Sequence, residues 1–222
     1  MKKSLLILLI LPILAACGSK GGMEGILTSS DVLIIQHHIR EHYRCLEELC
    51  RRLYLKNPRY EPDPKKREGK LNAVFYGGGS LAEPWNRRAS HEILTAAFAP
   101  ATTYPDRVAL LALGLRRSID EGYNQTGPNQ TMITSLEVSL EKLKRLHSNL
   151  NQVNWRLKSC RAPEENLYFL TNEADPAGHL NMGYEVLMTR VLTRIEDDIF
   201  MRGGNPPNLV FRMSTMFLSL FL

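Results

Sequence analysis

Between residues 136 and 157 the chain places Leu136, Leu140, Leu143, Leu146, Leu150, Val153 and Leu157 at steps of three and four. That spacing lines one side of an α-helix and is incompatible with a strand, whose side chains alternate between two faces. A helix with such a stripe must bury it against other elements, so the chain is committed to packed helical layers. The spacing predicts a helix from about Thr131 to Lys158, the longest in the chain, with Cys160 at the next step of the stripe. A second helix is predicted from Asp31 to about Leu55, capped by Ser29 or Ser30 and ended by Asn57-Pro58. Its inward stripe is Ile34, Ile35, His38, His42, Cys45, Leu46, Leu49 and Leu53. Asp106 to about Tyr123 follows Pro105 and is apolar nearly all round in VALLALGL, which predicts a central position. Met182 to Met201 turns Leu187, Met188, Val191, Ile195 and Ile199 inward and stops at Gly203-Gly204. A shorter helix runs from Ser90 to Phe98, before Pro100.

Other segments read differently. Residues 56–70 (KNPRYEPDPKKREGK) hold three prolines and alternating charge, which predicts a surface connection and not a helix. Asn72 to Tyr76, before the Gly77-Gly78-Gly79 turn, and Leu167 to Leu170 are expected as two short strands that pair. The expected fold is therefore mostly all-α, an irregular helix bundle with at most one short two-stranded β element.

The N-terminus speaks to location. Met1-Lys2-Lys3 is basic, the ten residues from Leu5 to Leu14 are almost unbrokenly apolar, and Leu14-Ala15-Ala16-Cys17 closes the run. At about 1.5 Å per helical residue the run is too short for a hydrocarbon core of about 30 Å, which makes it a secretory signal and not a span. Its terminal cysteine makes it resemble a bacterial lipoprotein signal with its lipobox. The resemblance implies cleavage before Cys17, a diacylglycerol thioether on its sulfur and an acylated new amino terminus. Gly18, where the inner-membrane signal of enteric bacteria is aspartate, implies the outer membrane, periplasmic face. Residues 1–16 are then signal peptide, 17–27 a lipidated, glycine-rich tether, and 28–222 a single helical domain.

Removing 16 of the 222 residues takes two lysines with them, and the formal charge falls from +5 to +3. So small a charge on an exported chain argues against nucleic acid as a partner. With Cys17 lipidated, Cys45, Cys50 and Cys160 remain in an oxidising compartment. Cys45 and Cys50 point about 140° apart on one helix and cannot bridge each other. If the first and longest helices pack face to face, Cys45 pairs with Cys160 and Cys50 is left as the free thiol.

Candidate chemistry is sparse. His38, His42 and Cys45 share a helical face and are a donor set suited to zinc or copper, with Cys160 or His147 as a fourth ligand. The same face is the core stripe, and hydrogen-bonded core histidines are the preferred reading. Gly78-Gly79-Ser80-Leu81-Ala82 is a loose version of a nucleophile elbow, with Asp175 and His179 downstream in the right chain order. It lacks the alternating strands and helices that hold such an elbow. His91-Glu92 opens like a zinc-protease signature, but Thr95 stands where the second histidine belongs. Glu164-Glu165 and Glu196-Asp197-Asp198 supply paired carboxylates of a kind far commoner on solvated surfaces. The basic run from Arg51 to Lys70 is interleaved with Glu61, Asp63 and Glu68, which reads as an ordinary solvated face. Leu209 to Leu222, apolar apart from Arg212, Thr215 and Ser219, reads as a helix that packs on the core, with a partner- or membrane-docking helix as the alternative.

LYLKNPRYEPDP at 53–64, SHEILTAAFAP at 90–100 and YPDRVALLALGL at 104–115 together resemble an uncharacterised family of proteobacterial envelope lipoproteins. The likeness covers about Leu53 to Leu115, weakening onward to Ile199. It implies a lipid anchor and carries no catalytic residue or cofactor. The expected function is a non-enzymatic adaptor or envelope-assembly role. The membrane, reached through Cys17, and an envelope protein are its partners. The alternative is an envelope hydrolase or metal-dependent enzyme using Ser80 with His179, or His38, His42 and Cys45.

Overall fold

Residues 30–125, 138–163, 166–171, 182–207 and 217 are described by a computed structural model, and they are helical throughout their regular parts. Helix α1 spans Ser30–Lys56, and Ile35, Ile39, His42, Leu46, Leu49 and Leu53 bury one continuous side of it. Ile34, expected on that side, is 39% exposed, and the stripe instead widens to take in Cys50 and Tyr54. Asn57 ends the helix by folding its amide back onto the Leu53 carbonyl at 2.8 Å.

Helix α2 spans Pro64–Phe75 and overturns two expectations, a surface connection at 56–70 and a strand at 72–76. The prolines do not break it, because Pro58 and Pro62 precede it and Pro64 sits in its first turn, where no N–H is needed. Asp63 caps it by accepting from the Lys65 N–H at 2.8 Å, and Leu71, Val74 and Phe75 turn inward at helical spacing. A 3-10 turn at Trp85–Arg87 leads to α3, Ser90–Phe98, whose Glu92 side chain accepts from the Ala89 N–H. Helix α4 spans Arg107–Gly122, with Asp106 capping it through the Ala109 N–H at 3.0 Å.

Helix α5 spans Leu140–Ser159, and Val138 and Ser139 already lie outside it, so it starts later than the leucine spacing suggested. At 20 residues it is shorter than the 27 of α1. Helix α6 spans Gly183–Met201. The expected 72–76 with 167–170 pairing does not form. The latter segment makes a single antiparallel bridge, Arg161 to Leu167, and is clamped by Asn57, which exchanges two hydrogen bonds with the Leu170 backbone. Residues 209–222 lie outside the described residues except Phe217, which is buried against Phe98 and beneath the Arg156 guanidinium.

Four helices form a ring of neighbours: α1 packs on α4, α4 on α5, α5 on α6 and α6 on α1. Helices α2 and α3 add to α4 from outside, so α4 is enclosed by α1, α2, α3 and α5. That enclosure explains VALLALGL, where every residue from Val108 to Leu115 is buried. Its closest seam is with α3. A Cβ built on Gly114 would lie 2.8 Å from Leu94 Cδ2, so glycine sets how near the two helices come. The ring also places α1 and α5 at opposite corners, contrary to the face-to-face packing assumed for the cysteine bridge.

Candidate functional site

Polar side chains concentrate in two places, and the first is the seam of α1, α4 and α6. Asp198 of α6 is fully buried, with His38 Nδ1 at 3.0 Å from Oδ1 and the Tyr123 hydroxyl at 2.5 Å from Oδ2. His42 Nε2 lies 3.1 Å from the same hydroxyl. The proton positions follow from donor counting. Tyr123 has one proton and gives it to Asp198, so His42 must donate from Nε2 and its Nδ1 carries none. That Nδ1 is buried without a hydrogen-bond partner. Burial first, then the nearby positive charges of Arg194 and His38, pushes the His42 pKa down to about 3, so the imidazole is neutral at physiological pH. Burial and the Asp198 charge hold Tyr123 protonated far above its ordinary range.

This seam answers the expectation about metal ligands. His38 and His42 are brought together, but they face a carboxylate and a phenol, while Cys45 turns toward Arg194 at 3.8 Å. His147 pairs with Glu196 at 2.8 Å on the α5–α6 side. Among the described residues no group of three or more His, Cys, Asp or Glu side chains is placed to hold a metal ion. The expected Cys45–Cys160 bridge does not form either. Cys45 and Cys50 are buried free thiols on α1, and Cys160 is a half-buried free thiol at the end of α5, across the ring. Cys50, expected off the stripe, is as buried as Cys45.

The second place is a cleft of about 590 Å³ between α4 and the segment joining α2 to α3. Arg87, Arg88, Arg116, Arg117, Asp120 and Glu121 contribute its polar walls. Arg117 is fixed wholly by backbone oxygens, donating to Asn86 at 2.9 Å and to Arg88 at 2.5 Å, with longer contacts to Gly79 and Trp85. It therefore ties down the turn in which Gly78 and Gly79 adopt φ of +80° and +77°. Arg116 bonds Asp120 at 2.8 Å and the Phe75 carbonyl at 3.0 Å, and stacks 4.0 Å over the Tyr43 ring. The Tyr43 hydroxyl donates to Asp120 as well. Glu121 accepts both the Ser90 N–H, at 3.0 Å, and the Ser90 hydroxyl, and burial pushes its pKa up. Arg87 and Arg88 sit at the rim, with 85% and 45% of their side chains exposed; Arg87 makes a long contact to Glu83 at 3.5 Å, and Arg88 reaches Glu92 at 3.4 Å and lies 5.3 Å over the Trp85 ring.

Ser80 follows this turn and is exposed, and no described histidine bonds to it. Asp175 and His179, its expected partners, lie outside the described residues, as do Cys17 and Glu164-Glu165. Much of the basic run pairs within the fold. Arg51 and Arg52 pair with Glu47 and Glu48, and Lys70 bridges Glu61 and Asp106 at 2.7 Å each, beside the Tyr54 hydroxyl on Asp106. Sequence reasoning overlooked the cleft. Its signal was two adjacent arginine pairs, 87–88 and 116–117, which nothing in their spacing assigns to one site. Compared with protein-family models, curated proteins and solved structures, the chain has no significant match in any of the three.

Proposed function

We propose that the chain is an outer-membrane-anchored periplasmic lipoprotein whose helical domain works by binding, as an adaptor or assembly factor of the envelope. The cleft carries the binding role. Four guanidinium groups, which remain protonated and neither give nor take a proton, outnumber the carboxylates of Asp120 and Glu121 in its walls, which favours recognition of an anionic partner. The anchor is supported by the basic start, the short apolar run and the LAAC sequence that ends at Cys17. Acyl chains contributing about 0.8 kcal/mol per buried methylene would hold such a protein on the membrane essentially permanently. The resemblance of residues 53–115 to envelope lipoproteins points the same way.

Cell fractionation tests the anchor. Cys17→Ser should move the protein out of the membrane fraction, and its persistence there after a high-salt wash would overturn lipid anchoring. Crosslinking in cells followed by pulldown tests the adaptor role. It should capture an envelope protein, with capture weakened in an Arg87→Gln, Arg88→Gln double variant. Recovery of lipid and peptidoglycan fragments alone would overturn that role.

A further inference from the structure

The four arginines of the cleft divide into a fixed pair and an adjustable pair, and that division points to a ligand. Arg116 and Arg117 are held on α4 by carbonyls, by Asp120 and by the Tyr43 ring, so their charge is positioned before anything binds. The acceptors of Arg117 are neutral backbone oxygens, which orient the guanidinium without cancelling its charge. Asp120 and Glu121 share the wall, but each already accepts two donors, Arg116 and Tyr43 on one and the Ser90 N–H and hydroxyl on the other. Asp120, ion-paired to Arg116, offsets part of the Arg116 charge, so Arg117 supplies more of the fixed positive field. Arg87 and Arg88 are exposed and paired with exposed glutamates by contacts of 3.4–3.5 Å, the kind of surface pair worth about 0–1 kcal/mol, and Arg88 rests 5.3 Å over the Trp85 ring, which leaves its N–H donors available. An anion with better geometry displaces those glutamates at little cost.

We propose that this cleft binds a phosphate-bearing ligand, with Arg87 and Arg88 closing on the phosphate oxygens above the fixed charges of Arg116 and Arg117. Planar guanidinium forks match tetrahedral oxyanions through paired N–H donors, and several forks around one recess suit a phosphoryl group, whose oxygens are spread tetrahedrally, better than a planar lone carboxylate. At about 590 Å³ the recess is much larger than one phosphate and leaves room for the body that carries it. A lipid headgroup and a soluble phosphate ester share this chemistry. The inference deepens the binding role proposed above and rests on it, but does not depend on the anchor.

The experiment uses the full chain carrying Cys17→Ser, so that no acyl group contributes. One arm titrates glycerol 3-phosphate and pyrophosphate by calorimetry, with succinate as the carboxylate comparison. The other measures cosedimentation with phosphatidylglycerol vesicles against phosphatidylcholine vesicles. Saturable, salt-sensitive binding in the soluble arm, or in the phosphatidylglycerol arm alone, supports the proposal and identifies the source of the phosphate. Arg87→Gln with Arg88→Gln should weaken it about tenfold or more, as loss of charge-assisted hydrogen bonds predicts, while the melting temperature stays put. Lysine at both positions should restore only part, and Arg40→Gln, on exposed α1 surface, should change nothing. The proposal is overturned by no binding in either arm, by succinate binding as tightly as the phosphates, or by equal weakening in the Arg40 variant. Should partner capture in cells survive such a result, the adaptor reading stands and only the phosphate assignment falls.

Discussion

The seam of α1, α4 and α6 and the cleft beside α4 both assemble charged and polar side chains from distant parts of the chain, yet they use them in opposite ways. In the seam every partner is internal: Asp198 accepts a hydrogen bond each from His38 and Tyr123, and Tyr123 accepts one from His42. Water is excluded, so each group depends on the others and removal of one leaves the rest unsatisfied. In the cleft the floor is internally satisfied, but the rim arginines face solvent with weak, exchangeable partners. The seam therefore contributes to uniqueness and stability of the bundle, and the cleft retains interactions for something outside it. Burial, more than residue type, separates the structural use of charge from the functional one.

The sharpest way to break this comparison is Asp198→Ala. It strands the half-buried His38 imidazole and the buried Tyr123 phenol, and should destabilise the protein by about 2–4 kcal/mol, read from denaturant midpoints. A loss under 1 kcal/mol would mean that the seam is not the closed network described. Gly114→Ala sets an apolar contact against the polar ones. Its new methyl presses on Leu94, and overpacking at the α3–α4 seam should cost about 1–3 kcal/mol in the same assay. Because the cleft is framed by α4 and the segment leading into α3, this variant should also disturb any ligand binding there.

Acid sharpens the comparison further. The folded pKa of His42 is lowered to about 3 from an ordinary value of 6.5, so between those values the unfolded chain binds a proton that the native one refuses. Stability from this group is full above pH 6.5 and is lost as the pH falls, by at most about 1.4 kcal/mol per unit. Glu121 has the opposite sign. Its folded pKa is raised by burial, so its contribution is present below the unfolded carboxylate value and is lost as pH rises through the folded one. Urea titrations between pH 4 and 7 should show a steep acid loss that His42→Gln flattens, since glutamine can still donate to Tyr123 without titrating. An unchanged slope would show that His42 is not the titrating group. The smallest effect belongs to the cleft rim, where Arg87→Gln with Arg88→Gln should leave stability within about 0.5 kcal/mol, as expected for surface substitutions.

Much of this architecture is legible from residue spacing. Helices at 90–98 and 183–201, and the enclosed position of 107–122, follow from periodicity, caps and the apolar run VALLALGL, because these are local properties of one helix. The prolines misled at 56–75. Three of them in a charged stretch suggest a loop, but what matters is where they fall relative to a helix start, and Pro64 falls in the first turn behind a capping aspartate. The leucine stripe similarly continues on paper to Leu136, while Val138 and Ser139 have already left the helix. Spacing says which face a helix will bury and says little about where the helix begins.

The seam was half legible. His38 and His42 stood out as polar residues on an apolar stripe, and hydrogen-bonded core histidines were the reading preferred for them. Their partners, Tyr123 and Asp198, lie 75 to 160 positions away from them or from each other and carry no local mark. The arginines of the cleft were invisible as a site for the same reason.

By itself, the sequence determined that this chain is helical and which faces most of its helices bury. Those are consequences of short-range spacing and composition. Only the tertiary structure decided which helices are neighbours. By setting α1 and α5 at opposite corners it left three free thiols where a disulfide was expected, and by closing α6 on α1 it supplied a carboxylate where a metal was conceivable. It also turned two unremarkable arginine pairs into one positively walled recess. Charge and hydrogen bonding act over a few ångströms of space, and the chain brings those few ångströms together only when the helices have packed.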